Sequence, residues 1–466
     1  MKGSRAGRLR FLNLDGLLMF GTSGIRGIYG SDITEGLANR VANIFSNGKL
    51  VLARDIRKSG ISLLEAAAEG AKEAGSDVID IGICPTPTLA LATKSKKAFA
   101  SRGIMITASH NPEEFNGLKL VEKGKEICKA MEKEIEGAYK TKNWRTSAKM
   151  GTLSQDDSII DEHKELVRSL VDVDRIAKRK PKIIVDCNGA ASVITPQLLT
   201  DLGCQVVSTN SSMERFNRPS EPNEKNLAYL SSLVPAMHAD FAIAHDGDGD
   251  RCVIVDETGA VLPFDAQLAM MIEHELSNSN NKNNKKNPKN KRIISTIEAS
   301  LVIREVVEEA GGTIDITPVG STHIGDLMEE NGALFGGEPC GEYIYRDSVH
   351  VPDAVLAAAK FAEIFCEKGV FSKLKTKYRQ NPMARERFPA KDKQATIEAI
   401  KKALPGLGIE GDVRSDDGIR IDENDGWFLV RASGTEPIVR LTMEYKSEER
   451  LGKRRKQIES LIRSKL

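Results

Sequence analysis

The sequence predicts an α/β protein built from three consecutive units with mixed sheets, followed by a smaller α+β unit. Three observations carry this expectation. Short β-branched runs alternate with helical stretches from Lys49 onward, and the alternation restarts near Lys182 and again near Leu262. Toward the C-terminus the pattern changes to paired strands and a terminal amphipathic helix. Strand–helix alternation of this kind lays helices over a largely parallel or mixed sheet.

In the first round, Lys49-Leu-Val-Leu-Ala53 reads as a strand, Ser62 to Ala74 as a helix, and Asp77-Val-Ile-Asp-Ile81 as a strand closed by Gly82 and Cys84-Pro-Thr-Pro-Thr88. A helix from Leu89 to Lys96 and a strand running into Ser109 follow. A helix-like connection, Ile159 to Val171, leads to the second round. Its elements are the strand Lys182–Asp186, a helix from Ala190 to Leu202, and strands at Gln205–Ser208, Phe241–Ala244 and Arg251–Asp256. The third includes Arg292–Thr296, a helix from Ser300 to Ala310, Thr313–Thr317, and Leu334-Phe335 ahead of Gly336-Gly337. Three similar stretches suggest duplicated architecture without a residue-level repeat. The final unit should pair Asp416–Asp422 with Trp427–Arg431 and end in a helix from Glu448 to Leu466 whose basic face is solvated. The expected boundaries are 19–150, 151–257, 258–374 and 375–466.

Composition narrows the function. With 67 basic and 66 acidic residues among 466, no global field points to nucleic acid or an anionic membrane. No apolar run approaches the ~18 residues needed to cross a bilayer. The seven cysteines include no C-x-x-C pair, which suits reduced thiols and a cytoplasmic location better than a disulfide framework. Lys2 to Arg10 is basic and Phe11-Leu-Asn-Leu-Asp15 interrupts any apolar segment, so a secretory signal is not expected. Residues 1–18 read as a mobile extension or a misassigned start. The Asn/Lys-rich stretch 277–292 reads as a disordered, solvated loop rather than a nucleic-acid contact.

The chemistry lies in two motifs read together. Asp246-Gly-Asp-Gly-Asp-Arg251 sets three carboxylates at alternate positions, with glycines that let the backbone wrap an ion. Such an all-oxygen set suits a hard cation such as Mg²⁺. An EF-hand fails because Arg251 stands where that loop needs glycine; a plain acidic turn is the bland alternative. Thr107-Ala-Ser-His-Asn-Pro112 offers Ser109 at the end of an apolar run. There is no G-x-S-x-G elbow, and His110, next to Ser109 on an extended segment, is expected to point away from it. The serine is either a turn cap or, beside a cation, a carrier of phosphate.

Other segments fit a phosphorylated sugar. Arg431-Ala-Ser-Gly-Thr-Glu-Pro437 with Arg440 combines two guanidiniums, two hydroxyls and the flexible Gly434, the inventory of a phosphate clamp or else of an ordinary turn. Gly21-Thr-Ser-Gly-Ile-Arg-Gly27 fits neither the dinucleotide nor the Walker pattern, and Arg26 reads as a cation facing the same cleft. Gly336-Gly-Glu-Pro-Cys-Gly-Glu342 reads as a loop able to lay Glu338 against sugar hydroxyls, or as a tight surface turn.

Taken together, the chain resembles the α-D-phosphohexomutase family of phosphoglucomutases, phosphomannomutases and phosphoglucosamine mutases. The resemblance runs from Met19 to the C-terminus and rests on Thr107–Pro112, Asp246–Arg251, Gly337–Glu342 and Arg431–Pro437, in the family's order. It implies four domains in a heart-shaped arrangement around a central cleft: a phosphoserine, a metal-binding, a sugar-binding and a phosphate-binding domain. It further implies that Ser109 carries the phosphate, that Asp246, Asp248 and Asp250 hold Mg²⁺ with it, and that Glu338, Cys340 and Glu342 face the sugar. Arg431, Ser433, Gly434, Thr435 and Arg440 would clamp the distal phosphate. Arg26, His110, Lys119 and Arg251 would line the cleft, with Lys119 the first choice for proton transfer.

The implied reaction interconverts hexose 6-phosphate and 1-phosphate through a hexose 1,6-bisphosphate. Many members carry serine and histidine where this chain has Cys340 and Glu342. The Gly-Glu-Pro-Cys-Gly form looks most like archaeal-type phosphoglucosamine mutases, with glucose and mannose phosphates as alternatives. The sugar phosphate is the expected partner, with no nucleic acid or membrane; monomer and homo-oligomer both remain compatible. The rival classes are an aspartyl phosphatase, which shares D-x-D but has no use for Ser109, and a silent sugar-phosphate-binding paralogue.

Overall fold

The computed structural model describes residues 20–21, 23–95, 99–278, 290–378, 381–433 and 437–466. The chain divides into two compact units, Ser23–Arg379 and Met1–Thr22 with Gln380–Leu466. The expected extension at 1–18 lies outside the described residues, as do 279–289 of the Asn/Lys-rich stretch; Ser277 and Asn278 close a helix and Arg292 opens a strand.

The larger unit holds three sheets that repeat one topology. In the second sheet, Lys182–Asp186 has Gln205–Thr209 on one side and Phe241–His245 on the other, all parallel, and Cys252–Asp256 turns back antiparallel beside Phe241–His245. The third sheet repeats this with Arg292–Thr296, Thr313–Thr317, Phe335–Glu338 and the returning Glu342–Tyr345. The first does so with Lys49–Arg54, Asp77–Ile83, Arg102–Ile106 and the returning Phe115–Glu122, and adds edge strands at Ile25–Ile28, Lys125–Glu126 and Leu153–Gln155. The mixed sheets and the duplicated architecture expected from sequence are both present.

Two helices explain why the second and third sheets share one apolar core. Phe264–Asn278 and Ala354–Lys368 are buried on nearly every face, and Phe241, Phe335, Phe361, Phe365 and Phe371 join them in a single cluster. A side chain such as Phe361, fully withdrawn from water, contributes about 2–3 kcal/mol of transfer free energy.

Three local differences from the sequence expectation have simple causes. The helix expected over 190–202 is broken into a 3₁₀ turn, Ala190–Val193, and an α-helix, Thr195–Asp201. Ile194 leaves helical geometry, and Pro196 sits in the first turn of the second piece, where its missing N–H costs nothing. The helix expected from Leu89 begins at Thr86, with Pro87 likewise in its first turn. Gly336 and Gly337 lie inside a strand, so the segment expected as a loop over 336–342 is a hairpin whose tip is Pro339 to Gly341.

The smaller unit is an antiparallel sheet in the order Met383–Pro389, Ile438–Tyr445, Gly426–Ala432, Ile419–Glu423, Asp412–Arg414. The helices Lys393–Ala403 and Glu448–Arg463 pack their apolar residues into its core. The basic face of the last helix is not merely solvated: Arg450 and Arg454 both bind Glu423, and Arg455 binds Glu386.

Candidate active site

In each of the three sheets the sequence motif falls in the same place, the connection between the third strand and the antiparallel fourth. Ser109 follows Arg102–Ile106, Asp246 follows Phe241–His245, and Glu338 ends Phe335–Glu338. Each therefore lies at the carboxyl end of a strand with a parallel neighbour, where α/β sheets leave room for ligands.

Ser109 is buried and has φ +49°, a left-handed conformation that costs a non-glycine residue on the order of 1–3 kcal/mol. A dense set of hydrogen bonds offsets that cost. The Ser109 N–H donates to Thr107 Oγ1 at 2.8 Å, and Thr107 Oγ1 donates to Asp55 Oδ2 at 2.7 Å. Arg57, fully buried against Asp55, donates Nη2 to the carbonyls of Ser109 (2.9 Å) and Asn111 (2.8 Å). Its Nη1 donates to Pro112 and Phe115 carbonyls. The left-handed turn also brings His110 back: its Nδ1 lies 3.2 Å from Ser109 Oγ, whereas an extended segment would have parted them.

Ser109 Oγ donates to Asp246 Oδ2 at 2.8 Å across 137 residues of sequence. Asp246, Asp248 and Asp250 each present a carboxylate oxygen, all within 4.8 Å of one another and buried, the one such cluster among the described residues. Gly249 takes φ +63° in the turn, and a Cβ on Gly247 would stand 2.8 Å from the Ser109 carbonyl oxygen, so the two loops can meet only over glycine. Burial, with the charges of Asp250 and Asp248, pushes the Asp246 carboxyl well up. Oδ1 of Asp248 and Oδ1 of Asp250 are buried without hydrogen-bond partners. Crowded carboxylates with orphaned oxygens beside a hydroxyl fit a hard divalent cation.

Lys119 reaches the same carboxylates, with Nζ 3.0 Å from Asp248 Oδ2 and 2.7 Å from Asp250 Oδ2. Burial alone would favour the neutral amine, but Asp248 and Asp250 outweigh it and raise its pKa. Asp248, although buried, is held low by Lys119 and by the Thr86 hydroxyl at 2.6 Å. Arg251 and then burial hold the His110 imidazole well below its ordinary value, so it is neutral. Arg26 Nη1 lies 3.5 Å from Asn111 Oδ1 on the edge of the serine loop.

The hairpin is tied to the aspartate loop. Arg251 Nη2 pairs with Glu342 Oε1 at 3.0 Å, and the Cys252 N–H donates to the Gly341 carbonyl. Glu338 is paired in register with Glu342 and accepts from the Gly320 N–H at 3.1 Å. Burial, then Glu342 and Glu298, pushes Glu338 well above the carboxylate range. Burial and Glu342 likewise keep the Cys340 thiol protonated.

In the smaller unit, Arg431 and Arg440 stand directly opposite on paired strands. Like charges so placed repel, and an anion between them would relieve the repulsion. Asp417 Oδ2 lies 3.2 Å from Arg431 Nη1, and Lys393 donates to the Ser433 carbonyl. Gly434 and Thr435 lie outside the described residues.

Sequence reasoning missed Asp55, Arg57, Thr86 and Ser220, whose hydroxyl donates to the Ser109 carbonyl at 2.9 Å. Asp55 and Arg57 left a faint signal, two opposite charges immediately past an apolar strand. Ser220 left none.

Tandem α/β units that place a serine hydroxyl on a buried carboxylate cluster are compatible with phosphoryl transfer. Family models agree. Phosphoglucomutase/phosphomannomutase α/β/α domains I, II and III match residues 17–146, 161–259 and 265–382, and the C-terminal domain matches 383–461. The chain belongs to the phosphoglucomutase/phosphomannomutase family, whose members are phosphohexomutases, a class of isomerases. It is 36% identical over 461 residues to a probable phosphoglucosamine mutase of Methanopyrus kandleri, covering 95% of this chain and 97% of the relative. It is also 36% identical over 451 residues to a phosphoglucomutase/phosphomannomutase of Thermococcus kodakarensis, covering 93% and 95%. A crystal structure of a family protein from Burkholderia thailandensis shares the fold, with TM-score 0.83, 24% identity, and 96% and 97% of the two chains covered. No helix among the described residues is long and apolar enough to cross a membrane.

Proposed function

We propose that the protein interconverts hexose 6-phosphate and hexose 1-phosphate through a phosphorylated Ser109, with glucosamine phosphate as the leading substrate. The observation that carries this is the 2.8 Å contact between Ser109 Oγ and Asp246 in the buried aspartate cluster. In the first half-reaction the bond between phosphorus and Ser109 Oγ breaks as one forms to the sugar's free hydroxyl, giving hexose 1,6-bisphosphate. The hydroxyl loses a proton and Oγ gains one; we assign both transfers to Lys119, which its pairing with Asp248 and Asp250 keeps protonated, so that it gives its proton to Oγ and regains one from the sugar hydroxyl. After the bisphosphate turns round, its other phosphate returns to Ser109. Asp246, Asp248 and Asp250 would hold Mg²⁺, which when bound offsets charge on the transferring group. Arg431, Ser433, Gly434, Thr435 and Arg440 are the residues we assign to the distal phosphate.

The domain assignments follow: serine in 19–150, cation in 151–257, sugar in 258–374 and distal phosphate in 375–466. The preference for an amino sugar is supported by the carboxyl groups of Glu338 and Glu342, which stand side by side on the paired strands of the hairpin. Burial, then Glu342 and Glu298, raise Glu338, and Glu342 pairs with Arg251. An ammonium on the sugar would relieve that crowding, whereas glucose and mannose phosphates would not. Comparing turnover of glucosamine, glucose and mannose 6-phosphates, primed with a trace of the matching bisphosphate, tests this; inert glucosamine 6-phosphate would overturn the substrate assignment. Mass mapping of the phosphate tests the mechanism. Phosphate on Asp246 instead of Ser109 would replace the mutase with a phosphatase.

A further inference from the structure

The second sheet sends a long connection, residues 210–227, toward the serine loop. Its middle, Phe216 to Ser220, touches both halves of the reaction centre. Ser220 Oγ donates to the Ser109 carbonyl oxygen at 2.9 Å, and Arg57 Nη2 donates to that same oxygen at 2.9 Å. The Phe216 ring lies 5.1 Å beneath the Arg57 guanidinium, close enough for a cation–π contact. The segment is anchored at its own end of the site. Arg218 donates Nη2 to the His245 carbonyl, immediately before Asp246, and Nε to Asp186 at 2.6 Å. Asn188 Oδ1 accepts from the Asn217 and Arg218 N–H groups. A Cβ on Gly247 would meet Ser220 Oγ, the Ser109 carbonyl and the Phe216 ring at 2.7, 2.8 and 3.1 Å. The segment thus packs on the aspartate loop and the serine loop at once.

We propose that Phe216–Ser220 is a positioning element that sets the distance between the phosphoryl-carrying hydroxyl and the aspartate cluster, with Ser220 and Arg57 acting jointly on the Ser109 carbonyl oxygen. The proposal rests on the reading of Ser109 as phosphoryl carrier. One carbonyl oxygen has two lone pairs, and here each is taken by a donor from a different sheet. Removing one donor leaves the left-handed Ser109 held from one side only. Its Oγ can then drift, and displacements near an ångström cost phosphoryl transfer far more than they cost the fold.

Ser220→Ala tests this. Discharge of phospho-Ser109 to hexose phosphate, followed in a single turnover by intact mass, should slow about 10-fold. Substrate KM should stay within about twofold and the thermal midpoint within about 3 °C, since one hydrogen bond is lost among many. Amide hydrogen exchange across 107–111 should quicken in the cation-free protein while the strand Lys49–Arg54 is unchanged. Ser220→Thr, which keeps the donor, should recover most of the rate. Combined with Arg57→Lys, the loss should be non-multiplicative because both residues act on one acceptor. Wild-type discharge in Ser220→Ala, a loss matched by an equal fall in folded fraction, or strictly multiplicative losses would overturn the proposal. A wild-type protein bearing no phosphate on Ser109 would overturn the parent reading instead.

Discussion

The serine loop and the Glu338–Glu342 hairpin occupy the same topological position in two sheets of one design, yet they are finished in opposite ways. Around Ser109 the loop's hydrogen-bonding groups find protein partners: Arg57 supplies five donor contacts, and Asp55, Thr107 and Ser220 complete the set. Around Glu338 the protein leaves carboxyl groups close together: burial, then Glu342 and Glu298, raise Glu338, burial raises Glu342, and Arg251 pairs with Glu342. A site that must place one atom is best held rigidly by the protein. A site that must choose among sugars can leave its electrostatics for the right substrate to complete.

The comparison breaks most readily at its rigid side. Ser109→Ala should lower turnover by more than about 10⁴-fold and abolish incorporation of phosphate, because no other described hydroxyl touches the aspartate cluster as a nucleophile would. Thr86 is the nearest contender, and its hydroxyl is already committed to Asp248. Retained phosphate on the variant would count against the whole scheme. Asp248→Asn should come next, slowing turnover by on the order of 10²-fold and raising the Mg²⁺ concentration needed for half-activity. Titrating Mg²⁺ against single-turnover rate separates the two effects. An unchanged metal dependence would show that the orphaned Asp248 oxygen does not face a cation.

What could be read from sequence follows this same division. The motifs announced Ser109 and the three aspartates because chemistry forces particular residue types into short spacings. The alternation of β-branched runs with helical stretches announced the three α/β units because periodicity reports which face is buried. The supports were silent for physical reasons. Ser220 acts through a single hydroxyl on a backbone carbonyl 111 residues away, a contact that any serine in any loop could make. Arg57 looks like a surface charge until folding buries it under four carbonyls. The turn of His110 onto Ser109 depends on one left-handed φ, which a serine rarely adopts and no neighbouring residue advertises.

The hairpin side sharpens the comparison through Glu338→Gln, which removes a chargeable group at nearly constant shape. Its effect should be about 10-fold and should fall mainly on KM and on the preference for the amino sugar over glucose phosphate, measured as a ratio of kcat/KM values. An equal loss for both sugars would mean that Glu338 reads hydroxyls common to them rather than the ammonium.

The smallest effect on turnover belongs to Glu363, which lies in the same unit and is as buried as Glu338 but titrates in the opposite direction. Burial alone would raise it, yet the His274 hydrogen bond and the Lys360 charge outweigh burial and bring it down to about 2. The sign of the stability effect follows from these partners. Glu338, raised, contributes stability below the ordinary carboxyl value that is lost as pH rises through its folded pKa. Glu363, lowered from 4.5 to about 2, contributes stability present above 4.5 and lost as pH falls toward 2. That contribution is on the order of 3 kcal/mol at neutral pH. Glu363→Gln should therefore lower the urea midpoint at pH 7 and flatten its fall between pH 4.5 and 2, while kcat at neutral pH stays within about twofold. A parallel acid curve for variant and wild type would mean that His274 and Lys360 do not hold Glu363 down, and that burial alone sets both carboxyl groups.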